Sequence, residues 1–194
     1  RTGNRSRGQA PYFARRANLA ASVAHQLLAP SPEMLDVVCD YLWSICEETT
    51  WVLPAHENGG GLDLFDCETG FALAEARHAL TDQLPDEVAQ RVEHEVTARI
   101  IDPAMTRLGS RREDGPTTNL MDMHLRRRVE PPYWDDGHNN WAGVCASSIG
   151  GCMLHLQPDR ERLARGLNKV LVVLRRFLDN AFAADGASDE GLGY

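Results

Sequence analysis

The strongest constraint on this 194-residue chain is the return of apolar residues at helical spacing in six stretches separated by Gly and Pro. Alternation of the kind a half-buried strand needs is nearly absent. Phe13 to Leu28 carries Leu19, Ala20, Val23, Leu27 and Leu28 ahead of Pro30. Ser31-Pro32-Glu33 places an N-cap before a Pro at the first helical position, and opens a helix to about Glu48 with Leu35, Val38, Leu42 and Ile45 on one face. The third stretch runs from about Leu62 to Leu84. The fourth runs from Pro85 to about Leu108, with Pro103 inside it as an expected kink. Asn139 to Leu156 is the fifth, and Pro158 to about Ala184 the sixth. The expected fold is therefore all-α: about three helical hairpins stacked side by side over 13–194, behind a poorly ordered N-terminal segment at 1–12.

Composition narrows the partners. A hydrophobic content of 43% with 25% charged residues fits a globular domain and excludes disorder as the main theme. The net charge of -8 lacks the basic footprint that a phosphate backbone requires, so nucleic acid is not an expected partner. Cys39, Cys46, Cys67, Cys145 and Cys152 are odd in number and contain no CxxC pair. They read as buried free thiols rather than a disulfide framework or zinc knuckle. No apolar run reaches membrane-spanning length, and the basic N-terminus is not followed by the apolar core of a signal peptide. The sequence starts without Met and stops at Tyr194, so both ends are expected to be cut.

Two gaps, Thr49 to Gly61 and Gly109 to His138, exceed ordinary helix connections, and long loops in compact domains tend to carry function. The first holds Trp51-Val-Leu-Pro54-Ala-His56-Glu-Asn58. Its Trp beside His and Asn suits stacking on a sugar ring, or equally a plug for the bundle. The second holds Arg126-Arg127-Arg128, which suits steering of an anionic ligand or solvation of a helix end, and Tyr133-Trp134-Asp135-Asp136. His138-Asn139-Asn140-Trp141 then sets hydrogen-bonding side chains on the first turn of a helix, whose free N–H groups and dipole favour a carboxylate. Asn139 is also a good N-cap and Trp141 a good core anchor. Glu190-Gly191-Leu-Gly193-Tyr194 places a phenol in a Gly-rich segment, where it can act in proton transfer if neighbours lower its pKa.

Four of these elements occur in a familiar order. Glu48-Thr-Thr-Trp51-Val-Leu-Pro54-Ala-His56, Leu62-Asp63-Leu64-Phe65-Asp-Cys-Glu68-Thr69, Asn139-Asn140-Trp141 with Val144-Cys145, and Glu190-Gly191-Leu-Gly193-Tyr194 together resemble the heparinase II/III-like polysaccharide lyases. The resemblance implies an incomplete (α/α) toroid, about half of one here, without the β-sandwich domain that follows it in the family. It also implies cleavage of a uronate-containing glycan by β-elimination and, for family members, a periplasmic or secreted setting. An Asn or His at the start of the central helix would neutralise the uronate carboxylate, a role open to His138, Asn139 and Asn140 with Asn140 favoured. A Tyr some 55 positions later would be the acid, and in some members also the base, and Tyr194 lies 55 positions after Asn139 and 54 after Asn140.

Substrate contacts are expected from Trp51, His56, Asn58, Trp134, Trp141, Arg128 and Glu190. The partner would be an acidic polysaccharide or oligosaccharide. No metal or other cofactor is needed for the elimination, and His25, His78, His94, His124 and His155 form no HExxH motif. Two other readings compete: a toroid glycoside hydrolase pairing Asp135 or Asp136 with Glu190, and a noncatalytic scaffold binding a glycan or protein through the Trp51 and Trp134 loops.

Overall fold

A computed structural model describes residues 5–54, 56, 62–108 and 133–188. Among these, the regular secondary structure is helical, and the sole β feature is an isolated bridge between Phe182 and Ser188. The helices are α1 (Arg5–Leu28), α2 (Pro32–Cys46), α3 (Leu64–Ala79), α4 (Asp86–Val96), α5 (Asp102–Arg107), α6 (Asn140–Leu156) and α7 (Arg160–Asn180). A π-helical turn, Thr97–Ile101, joins α4 to α5, making Asp86 to Arg107 one continuous rod.

Local chemistry accounts for most of these ends. The Ser31 side chain accepts the Met34 amide with Pro32 just inside the helix, and Asp159 caps α7 by accepting the Arg162 amide. The π turn falls where Pro103 lacks an N–H and its ring would crowd the carbonyl four residues back; the wider Asp102-to-Thr97 hydrogen bond absorbs that conflict without a break. α1 begins at Arg5 instead of Phe13 and runs through Pro11, so the segment expected to be poorly ordered over 1–12 is helical from residue 5. Side-chain anchors hold it: the Tyr12 hydroxyl reaches the Trp51 carbonyl at 2.8 Å, and Arg16 donates to Glu48 at 2.6 Å.

Named contacts give the packing. Tyr12 lies beside the end of α2, Arg77 bonds Glu93, and Gly150 faces Val170, so α1/α2, α3/α4 and α6/α7 are antiparallel pairs. Phe71 meets Gly151 while His78 stacks on His155, so α3 and α6 run parallel. Tyr12 near Thr69, and Leu27 near Ala79, give α1 the same direction. The result is two layers: α1, α3 and α6 in one, and α2, the α4–α5 rod and α7 in the other. A single apolar cluster runs through both, including Leu42, Ile45, Leu73, Val96, Ile100, Ile149 and Val173. α6 sits at its centre, and Gly151 lets the Phe71 ring approach to within 2.4 Å of where a Cβ would stand.

Candidate functional site

Because α1, α3 and α6 are parallel, their N-termini gather at one end of the bundle, together with the segment after α2 and the 133–139 segment. Two sequence-distant polar side chains open the neighbouring helices there. Asp63 Oδ1 accepts the Asp66 amide at 2.7 Å at the start of α3, and Asn139 Oδ1 accepts the Trp141 amide at 3.1 Å at the start of α6. Their free N–H groups and positive dipole ends make this the end suited to anions. The opposing C-terminus of α2 is covered by Arg99, which donates to the Cys46 and Glu48 carbonyls.

His56 lies between these two helix starts. Its ring stacks on Trp141 (centroids 5.1 Å apart, 30° between planes) and tilts over Phe65 at 5.0 Å. Its Nδ1 is 3.2 Å from Asp63 Oδ2. Burial raises the Asp63 carboxyl above its usual range, against the lowering effect of the Asp66 amide and of His56. The preceding residue, Leu62, is buried and left-handed at φ 55. That conformation costs a residue with a bulky side chain roughly 1–3 kcal/mol and persists only where its surroundings over-determine it. Here they do: the Leu62 amide donates to Asp66 Oδ2 at 2.9 Å, and its carbonyl accepts the Trp134 indole N–H at 2.8 Å. Burial pushes the Asp66 carboxyl up to about 6, with Asp63 adding to the rise and the Leu62 amide and Arg99 opposing it.

The expected site residues divide sharply. His56, Trp141, Asn139 and Asn140 come together at this end, with His138 exposed just before the helix. Asn139 uses its side-chain oxygen as the N-cap, whereas Asn140 is the first helical residue and is partly exposed. Trp51 and Trp134 are corrected from sugar platforms to bundle plugs. They are 1% and 0% exposed, their indoles donate to the Ile45 and Leu62 carbonyls, and the Arg99 guanidinium lies over the Trp51 ring. Asp135 is equally buried, 3.8 Å from Arg176, and the Asp136 side chain accepts the His138 amide. Asp135 is thus enclosed beside Arg176, while Asp136 is partly exposed. Asn58, Arg128 with its two Arg neighbours, Glu190 and Tyr194 lie outside the described residues.

Asp63, Phe65 and the Tyr12–Arg16–Glu48–Thr69 clamp were not singled out as site residues by sequence reasoning. An Asp one residue ahead of a helical stretch is a visible capping signal; that its second oxygen holds a His seven positions earlier is not. Cys46, Cys67, Cys145 and Cys152 are buried free thiols and Cys39 is partly buried; burial pushes the Cys46 thiol up to about 12 and raises Cys39, Cys67 and Cys152 as well. An apolar groove of about 260 Å³ lies between Leu19–Leu27 of α1 and Ala72–Ala79 of α3, well down the bundle from His56.

Among the described residues, no group of three or more His, Cys, Asp or Glu side chains is placed to hold a metal ion, and no helix is long and apolar enough to cross a membrane. Neither protein-family models nor curated proteins give a match to this chain.

Proposed function

We propose that the chain is the helical portion of a polysaccharide lyase of the heparinase II/III-like kind, an incomplete (α/α) toroid acting on a uronate-containing glycan. The observation that carries this reading is the meeting of His56, Asp63 and Trp141 at one end of the bundle. Those residues belong to three of the four sequence elements on which the resemblance rests, and they lie up to 85 positions apart. Further support comes from the three antiparallel helix pairs in two layers, which suit an arc of such a toroid.

The chemistry asks for a group that makes a weak carbon acid removable. The C5 proton of a uronate is held tightly while the adjacent carboxylate carries its full charge. An amide hydrogen bond from Asn140 at the N-terminus of α6, backed by Asn139 and His138, stabilises the aci-carboxylate that develops as the proton leaves. Tyr194, serving as base and then acid, takes the C5 proton and returns it to the departing O4, so that the C4–O4 bond breaks as the C4–C5 double bond forms and a 4,5-unsaturated sugar is left. Asn58, Arg128 and Glu190 complete the proposed glycan contacts, and a periplasmic or secreted setting goes with this reading.

The test uses the protein at its natural length on a panel of uronate glycans, followed by the ultraviolet absorbance that an unsaturated uronate adds and a hydrolysed one does not. Asn140→Ala is expected to lower turnover by about 10²–10³-fold, as loss of one donor to a developing oxyanion does. Tyr194→Phe is expected to abolish it. Unchanged turnover in both variants sinks the assignment.

A further inference from the structure

The layer made by α2, the α4–α5 rod and α7 ends on two edges of opposite character. α2 lies at one edge, held to the rod by Arg99, which donates to the Cys46 carbonyl, and by Arg91, whose guanidinium lies 5.8 Å from the Trp43 ring. α7 lies at the other, held to the same rod by Lys169 on the Leu108 carbonyl and Arg162 on Asp102. The exposed face of α2 carries Glu33, Asp36 and Asp40, with Glu47 following at the C-cap, and the helix contains no basic residue. Glu33, Asp36 and Asp40 have no ion-pair partner among the described residues. Val37 and Trp43 stand beside them, each 39% exposed.

α7 has the inverse composition, with six basic residues against Glu161 and Asp179, a net charge of +4 on a chain of net charge -8. Arg162, Lys169 and Arg176 are engaged inside the fold, the last on the Asp135 carbonyl. Arg160, Arg165 and Arg175 are exposed. Arg165 and Arg175 make only water-screened pairs, with Glu161 at 3.6 Å and Asp179 at 4.0 Å, which hold them weakly. Beside these cations Leu171 and Leu178 are 61% and 65% exposed, and Val172 is exposed as well.

We propose that the two edges are the halves of a head-to-tail contact, in which α7 of one molecule docks on α2 of a second copy of this chain. The inference goes beyond the glycan reading and does not depend on it. Both helices run antiparallel to α1, α3 and α6, and so parallel to each other. Repeating the layer sideways therefore sets α7 of one copy alongside α2 of the next. The charges fall in register: Arg165 and Arg175 are about 15 Å apart along the axis of α7, and Asp36 and Glu47 about 16 Å along α2. Leu171 and Val172 on one edge and Val37 and Trp43 on the other lose water as the edges meet. Like edges repel, because α7 on α7 or α2 on α2 sets charges of one sign against each other. The contact is thus heterologous, and copies joined by it close into a ring or continue as a filament.

Sedimentation of the full chain over a dilution series reaching about 1 mM tests this. The wild type is expected to associate, and to associate less as salt is raised. Reversing α7 (Arg165→Glu with Arg175→Glu) or α2 (Asp36→Arg with Glu47→Arg) should each weaken association about tenfold or more, with circular dichroism showing each variant folded. All four changes in one chain should restore association, since the signs match again with their places exchanged. A wild type that stays monomeric overturns the proposal, as does a four-change variant that fails to recover. Loss on reversing α7 without loss on reversing α2 also overturns it, and points to α7 pairing with itself. A monomer that sediments with phosphatidylserine vesicles through α7, whatever the charge of α2, replaces the second copy by an anionic lipid surface.

Discussion

Asp66 shows how one buried carboxyl ties the site to stability. Its folded-state pKa of about 6 lies above the 3.8 of an unperturbed Asp, so the folded chain holds the proton more tightly than the unfolded chain does. Below both values the group costs nothing. As pH rises from about 4 to about 6 the unfolded state ionises first and stability is lost, by an amount on the order of 3 kcal/mol once both are passed. Asp66→Asn, whose oxygen can still accept the Leu62 amide, should flatten that slope. Urea midpoints at pH 4, 5, 6 and 7.5 check this, and parallel curves for the two proteins would count against it. The position of Asp66 near the start of a helical stretch was legible in the sequence, but its burial was not. Its setting depends on the left-handed Leu62, whose amide bonds Asp66 and whose carbonyl is held by Trp134 from 72 positions away. The same distance explains the Trp residues: a Trp in a long loop has the same local sequence whether it faces a sugar or fills the bundle, and only packing partners decide.

At the scale of elements, the caps and breakers could be read directly. Ser31, Asn139 and Pro103 stand where the helices start or deform, because each acts through neighbours within one turn. The start of α1 could not. Arg5 to Pro11 has no apolar stripe, and its helicity depends on Tyr12, Arg15 and Arg16 reaching Trp51, Glu48 and Thr69. The α3–α6 seam makes a prediction of its own. An added methyl at Gly151 would stand 2.4 Å from the rigid Phe71 ring, whereas at Gly166 it would meet the flexible sulfur ends of Met153 and Met105. Gly151→Ala should therefore destabilise by about 1–3 kcal/mol through overpacking, and Gly166→Ala by less, both read from denaturant midpoints.

Across the whole molecule, burial is uneven. α6 has eight buried residues in seventeen, and α3 has seven in sixteen, while α1 has in Leu19 and Gln26 its only fully buried side chains among the described residues. Local opening should follow that gradient. Amide hydrogen exchange is expected to be slowest in α3 and α6 and fastest in α1, with uniform rates across the three as the result that contradicts it. Arg16→Ala, which removes the guanidinium bound to Glu48 and resting on the Tyr12 ring, should speed exchange in α1 selectively.

The stacking of His56 on Trp141 also bears on how the protein is made. The cluster around His56 is incomplete without the third hairpin, because the Trp141 ring that covers it belongs to α6. During synthesis, a chain that has emerged only as far as α5 contains His56 and Asp63 without their cover. The cluster is therefore finished late, by docking of α6, and its completion marks the end of folding rather than an early step.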